Sequence, residues 1–213
     1  MKHRPNPAQR VCHAEPDTLV YTIENKLYIN LTDRCSLACK FCPKHNQSKQ
    51  VHEYNLTLSE RPDPLKIIDL IGDPKRYDEV VFCGFGEPTL RLKALLLIAN
   101  SIKANGGKTR LNTDGLANLF HKEDVIPLLS TCIDAVSISL NAQNEFVYQQ
   151  HCVPSLPHSY PALLAFIERA SQWIPDVTVT AIDGLAGVDI EACKRIAHER
   201  GAKFRPRTLD VVG

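Results

Sequence analysis

Cys35, Cys39 and Cys42 stand at C-x3-C-x2-C spacing in the segment TDRCSLACKFCPK. Cysteine thiolates are soft ligands suited to zinc or to iron–sulfur clusters. Three of them on so short a loop can hold three irons of a [4Fe–4S] cluster and leave the fourth iron without a protein ligand, open to a small molecule. Zinc is the competing occupant, because His45 follows Cys42 at C-x2-H and would complete a Cys3His tetrahedron. Structural zinc more often takes its ligands from two separated knuckles than from one continuous run. The other cysteines of the eight, Cys12, Cys132, Cys152 and Cys193, are dispersed and read as small buried apolar residues. Cys83, just ahead of a glycine segment, also reads as packing, although it stands close to that segment.

Three further segments carry polar chemistry. In Cys83-Gly84-Phe85-Gly86-Glu87-Pro88-Thr89 the glycines let backbone approach a ligand closely, and Glu87 offers an acceptor to a cation. Asn112-Thr113-Asp114-Gly115 follows a strand pattern and would by itself be a plain turn built on Asp-Gly. In Val136-Ser137-Ile138-Ser139-Leu140-Asn141 the alternation aims Ser137 and Ser139 to one face. Thr180 is a weaker candidate of the same type. Near the end of the chain Arg205 and Arg207 flank Pro206 on a strand pattern, where they either hold an anionic substrate group or lie in solvent. Lys44, His45 and Lys49 make the stretch after the cysteines basic, a solvated face or a landing place for an acidic electron donor.

Elements that would position these groups are legible in the hydrophobic pattern. Strands are expected at Thr18–Ile23, Leu27–Leu31, Glu79–Cys83, Lys108–Leu111, Ala135–Leu140, Val177–Ile182 and Lys203–Arg207, and helices at Leu65–Ile71, Arg91–Ala104, Glu123–Ser130, Asn144–His151, Tyr160–Trp173 and Ile190–Arg200. Strand and helix alternate about six times, which implies a parallel sheet with ligands at the carboxyl ends of its strands. A closed eight-unit barrel takes about 250 residues, more than the 213 present. The expected fold is therefore α/β, a partial, open TIM-like barrel of six β/α units spanning residues 18–213 behind a loosely ordered tail at residues 1–17. The polar Phe41–Arg61 stretch is long for a connection and is expected to cover a site.

Composition narrows the partners. With 25 Lys+Arg against 24 Asp+Glu there is no basic stripe to track a phosphate backbone, so nucleic acid is not expected. The longest apolar run, about Ala94 to Ala99, is far short of the ~20 residues of a membrane span, and the polar start has no signal-peptide pattern. A cytoplasmic setting, where thiols stay reduced and free to bind metal, is the expectation.

The C-x3-C-x-Φ-C run, with Phe41 as its aromatic, resembles the signature of the radical S-adenosylmethionine (radical SAM) superfamily. That resemblance implies a full or partial β/α barrel in which Cys35, Cys39 and Cys42 hold a [4Fe–4S] cluster whose open iron binds the amino and carboxylate groups of SAM. It further implies reductive cleavage of SAM to a 5′-deoxyadenosyl radical that takes hydrogen from a substrate. By the same resemblance Phe41 lies near the adenine. Gly84, Gly86 and Glu87 correspond to the Gly-Gly-Glu-Pro segment on the SAM ammonium, with Phe85 departing from the pattern; Asn112 and Thr113 correspond to the segment beneath the sulfonium and ribose, and Ser137 and Ser139 to a SAM-contacting strand. A flavodoxin- or ferredoxin-type reductant is implied, and the substrate is left open between a peptide and a small molecule. The segments NLTDRC, CGFGEPT and GAKFRPRTL are most similar to the small TatD-associated radical SAM group. Outside the resemblance, a zinc-binding module and an Fe–S electron carrier or sensor that does not cleave SAM remain alternatives.

Overall fold

The structure, a computed structural model, describes residues 17–44 and 50–209. The expected tail, apart from Asp17, lies outside the described residues, as do Cys12, His45 and Lys49. A hairpin of β1 (Val20–Ile23) and β2 (Lys26–Asn30) opens the fold. A small second hairpin, β3 (Gln50–Val51) and β4 (Tyr54–Asn55), sits inside the long connection between β2 and the first helix. The rest alternates: α1 (Pro64–Ile71), β5 (Val80–Cys83), α2 (Leu92–Ala104), β6 (Thr109–Thr113), α3 (Ala117–His121), α4 (Ile126–Ser130), β7 (Ala135–Ser139), α5 (Glu145–Cys152), α6 (Ser159–Trp173), β8 (Asp176–Asp183), α7 (Ile190–Glu199) and β9 (Lys203–Thr208).

The main sheet runs β1-β2-β5-β6-β7-β8-β9. From β2 onward every pairing is parallel and every strand lies beside its successor, so β2 through β9 form six β/α units in barrel order. The sheet does not close, since β1 and β9 are its two edges. Among the described residues no helix is long and apolar enough to cross a membrane.

Side-chain alternation gives the sheet two unlike faces. Ile29, Phe82, Leu111, Val136, Ile138 and Val179 point toward the helices and are almost fully buried in one core with Leu95, Ile98, Phe166 and Ile167. Each such side chain contributes about 1.5–3 kcal/mol by leaving water. The alternate residues, Lys26, Tyr28, Val81, Arg110, Asn112, Ser137, Thr178 and Arg205, line a cavity of about 210 Å³ on the concave inner face. That polar cavity is what the partial barrel encloses.

Where helix ends differ from expectation, local capping decides. Asp63 caps α1 through Leu65 N, with Pro64 in the first turn, and Asn144 caps α5 through Val147 N. The helix expected at Glu123–Ser130 starts later, as α4, and a separate five-residue helix, α3, precedes it; neither has a capping side chain.

Candidate functional site

Cys35, Cys39 and Cys42 lie on the loop leaving the carboxyl end of β2, and the ends of three other elements hold that loop. The carboxyl end of α5 is the main anchor. The last carbonyls of a helix have no partner within it; here His151 O accepts from Lys40 N (2.9 Å), and Cys152 O and Val153 O accept from Ala38 N (3.1 and 3.2 Å). Ser155 adds both its N–H and its hydroxyl to Ser36 O (3.0 and 2.7 Å). Val153, which ends the helix, has φ +46°. A β-branched residue in this left-handed region is strained, and such strain gathers at functional sites.

The second anchor is a buried carboxylate pair, Glu87 and Asp114. Oε1 of Glu87 accepts from Thr89 N (3.0 Å), Thr89 Oγ1 (2.7 Å) and Thr113 Oγ1 (2.9 Å), while Oε2 accepts from Asp114 N (2.7 Å). Asp114 accepts from Leu116 N (2.9 Å) and from the Ser36 hydroxyl on the cysteine loop. The chain Thr89–Glu87–Thr113/Asp114–Ser36 thus ties together the loops after β5, β6 and β2. Burial pushes both carboxyls above their usual range, with Asp114 adding to the effect on Glu87.

Third, the Gly86 backbone lies directly against the cysteine loop. A Cβ at Gly86 would fall 2.3 Å from Thr32 O, 2.5 Å from Arg34 O and 2.8 Å from Arg34 N, and Glu87 N donates to Arg34 O (2.8 Å). The absence of a side chain at Gly86 therefore first serves the protein's own backbone. Phe85, which departs from the glycine pattern, turns into a satellite cluster with Tyr21 and Leu56, where Tyr21 stacks on Tyr28 (5.2 Å).

The described residues bring the expected site residues together unevenly. Gly86, Glu87 and Thr113 belong to the bracket around the cysteine loop, with the Thr113 hydroxyl used by Glu87. Gly84 (φ +151°) abuts the Asn30 side chain, and Phe41 packs half-buried against the main core. Asn112 and Ser137 face the inner cavity, where Arg110 Nη1 reaches Ser137 Oγ (3.5 Å); half-buried Ser139 is two residues further along β7 on the same face. A separate cleft of about 550 Å³ touches Cys35 and is walled by Arg34, Leu58, Arg61, Arg91 and Phe120, so the end of the long connection covers this flank as expected.

No group of three or more Cys, His, Asp or Glu side chains is drawn into metal-binding positions among the described residues. Their surroundings nevertheless fit a cluster rather than bare thiols. Tyr148, fully buried on α5, has a hydroxyl with no partner among the described residues. Burial pushes that phenol up, and nearby Cys152, Asp114, Cys39 and Cys35 push it further, which sets it behind the cysteine loop. Leu37 N donates to Cys35 Sγ (3.4 Å), the amide-to-sulfur contact that suits a cluster ligand. The Cys39 thiol lies against Cys152, which together with burial keeps it protonated unless a cation replaces the proton. Tyr148, the α5 terminus, Ser36 and Cys152 escaped the sequence reading because each acts through a contact distant along the chain; the Asn144 cap was the only local signal.

A family model for the radical SAM superfamily matches residues 29–199. Among solved structures, SuiB of Streptococcus suis bound to its precursor peptide SuiA is similar with a TM-score of 0.67 at 14% identity, over 90% of this chain and 40% of that one. SuiB bound to S-adenosylmethionine gives 0.66 at 15% identity over 87% of this chain and 41% of that one. Methylornithine synthase (PylB) gives 0.57 at 15% identity over 87% and 53%. At such identities the likeness is one of fold, and the chain spans between two fifths and about half the length of these structures.

Proposed function

The chain belongs to the radical SAM superfamily, and from that premise we propose that it is an enzyme that uses a [4Fe–4S] cluster and SAM to take hydrogen from a substrate held on the inner face of its sheet. When bound, the cluster and SAM together supply an electron transfer that breaks a C–S bond of the sulfonium and yields methionine and a 5′-deoxyadenosyl radical.

The protein's own residues do the positioning. Cys35, Cys39 and Cys42 would hold three irons, with the Tyr148 hydroxyl as hydrogen-bond donor to a cluster sulfur. Gly84, Gly86, Asn112, Thr113, Ser137 and Ser139 would surround SAM, with Phe41 beside its adenine. Glu87 enters this set through the backbone it fixes: its four protein donors leave the carboxylate as a brace, so the ammonium would be met by carbonyls of the 84–87 segment. Around the Cys35 cleft Arg34, Arg61 and Arg91 outnumber Asp33 and Glu60, a balance that suits an acidic flavodoxin or ferredoxin. A peptide is the substrate class that the fold relative SuiB suggests, and the open sheet edge at β9 leaves room for one. The TatD-associated likeness rests on NLTDRC, CGFGEPT and GAKFRPRTL.

One observation carries this reading: a three-cysteine loop at the carboxyl end of a six-stranded parallel sheet, backed by a buried hydroxyl that has no partner among the described residues. Anaerobic reconstitution with iron and sulfide tests it. About four irons per chain, a cluster spectrum perturbed by SAM and release of 5′-deoxyadenosine on dithionite reduction are expected. One zinc per chain, indifferent to SAM, would refute it, and a SAM-responsive cluster that releases no 5′-deoxyadenosine would leave an electron carrier or sensor.

A further inference from the structure

The inner face of the sheet carries its charge in two unlike layers. At the amino ends of the strands an unbroken chain of alternating sign crosses the barrel: Lys26–Glu79 (2.8 Å), Glu79–Arg110 (2.8 Å), Arg110–Asp176 (3.7 Å) and Asp176–Lys203 (3.0 Å). Each carboxylate there is shared by two cations, and the five side chains, three cations and two carboxylates, form a paired ionic floor with one net positive charge. On β9, strand alternation puts Arg205 and Arg207 on the same face as Lys203, at steps of roughly 6.6 Å, while Phe204 packs toward the core.

Neither arginine has an ion-pair partner among the described residues. The facing strand offers nothing acidic at that height: above Asp176 the inward positions of β8 are Thr178, Thr180 and Ile182. Exposed Arg205 lines the inner cavity with Asn112 and Ser137, and half-buried Arg207 acts across the mouth on Cys83, opposing without outweighing the burial that holds this thiol above its usual range. Cations without counter-charge, held on a rigid strand, are the complement of a ligand carrying anionic oxygens.

We propose that Arg205 and Arg207 form a substrate subsite for a carboxylate or phosphate group, seated at the mouth of the partial barrel above the ionic floor. The subsite depends on the enzyme assignment only in taking the inner face as the substrate cavity.

The test uses the full chain, reconstituted and SAM-loaded, titrated calorimetrically with inorganic phosphate and, separately, with glutarate, at constant ionic strength set with chloride. Saturable binding of either anion is expected, weakened at least ten-fold in the Arg205→Gln/Arg207→Gln variant and partly restored by Arg205→Lys/Arg207→Lys. Preference for phosphate or for glutarate identifies the source of the charge. Lys203→Gln, which alters only the floor, should bind the anion as the parent does. No saturable binding of either anion, undiminished binding in the Gln variant, or loss of SAM affinity in place of anion affinity would each overturn the proposal. Repeating the titration on cluster-free chain separates the subsite from the enzyme assignment, because the arginines need no iron: anion binding there leaves the subsite standing even where reconstitution fails and sinks the enzyme assignment.

Discussion

Gly86→Ala puts the architecture of the cysteine loop under direct test. The added Cβ would lie 2.3 Å from Thr32 O, 2.5 Å from Arg34 O and 2.8 Å from Arg34 N, against an ordinary separation of about 3.5 Å. All three are backbone atoms, so no rotamer change relieves the clash and the segment entering Cys35 must retreat by about 1 Å. That retreat also breaks the 2.8 Å bond from Glu87 N to Arg34 O. Overpacking costs about 1–3 kcal/mol and the lost hydrogen bond about 0.5–1.5 kcal/mol, so a destabilisation of about 2–4 kcal/mol is expected in urea unfolding of the cluster-free chain. Iron retention after anaerobic reconstitution should fall with it, because Cys35 moves relative to Cys39 and Cys42. Gly72→Ala is the comparison: its φ is +61° but its Cβ would meet nothing within 4 Å. It should lose about 1–3 kcal/mol and keep its iron. Parental stability and full iron in Gly86→Ala would show that the loop does not pass over this glycine.

Tyr148→Phe removes a buried hydroxyl that has no partner among the described residues, so the cluster-free chain should be as stable as the parent or up to about 1 kcal/mol more stable. The loaded protein should instead show a more negative midpoint potential by EPR-monitored titration, and a destabilised cluster-free variant would mean that the hydroxyl has a protein partner after all. Cys39→Ala, at the centre of the loop, is expected to retain almost no iron after gel filtration, and four irons in that variant would remove Cys39 from the ligand set. In Glu79→Gln the ionic floor loses its first carboxylate. Burial opposes ionisation of Glu79, but Lys26 and Arg110 outweigh it and hold the carboxyl below its usual range. A carboxyl so depressed adds stability at neutral pH that disappears as pH falls through its folded value. The variant should therefore lose about 1 kcal/mol at pH 7 and match the parent below the ordinary glutamate range; a gap that does not narrow on acidification would refute the ion-pair account.

The strands were legible because apolar alternation on a one-sided sheet is a local signal. Leu111, Val136, Ile138 and Val179 alternate with inward polar residues, β5 is a short apolar run, and each expected strand overlaps the observed one, with ends differing by no more than two residues. The cysteine spacing and the glycines at strand ends were legible for the same reason. The hairpin β3–β4 was not, since two-residue strands have no period to read, nor was α3, which lacks a cap. Glu87 shows the limit at the site itself. Its motif marks it as an acceptor, but only the fold reveals that Thr113 and Asp114 arrive to use the acceptor first. The floor from Lys26 to Lys203 likewise joins residues far apart in sequence, with no pattern along the chain to announce it.

Which polar groups are satisfied sorts scaffold from binding surface in this fold. The pair Glu87–Asp114, the end of α5 and the floor carboxylates are each saturated by protein donors, and a saturated buried group rigidifies what it joins. The atoms left wanting lie elsewhere. Tyr148 Oη is behind the cysteines, Asn30 Oδ1 and Asn112 Oδ1 face inward from β2 and β6, and the unpaired arginines of β9 stand across the mouth. Arg91 Nε and Arg200 Nε are also without partners, yet each guanidinium is already anchored through Nη1, on Leu31 O and Ile196 O, so these two belong to the scaffold. An unmade hydrogen bond to a buried group costs about 1–3 kcal/mol, and a protein that leaves such costs behind its cysteine loop and on the inner face of its sheet, while saturating the scaffold around them, recovers them only when something binds there.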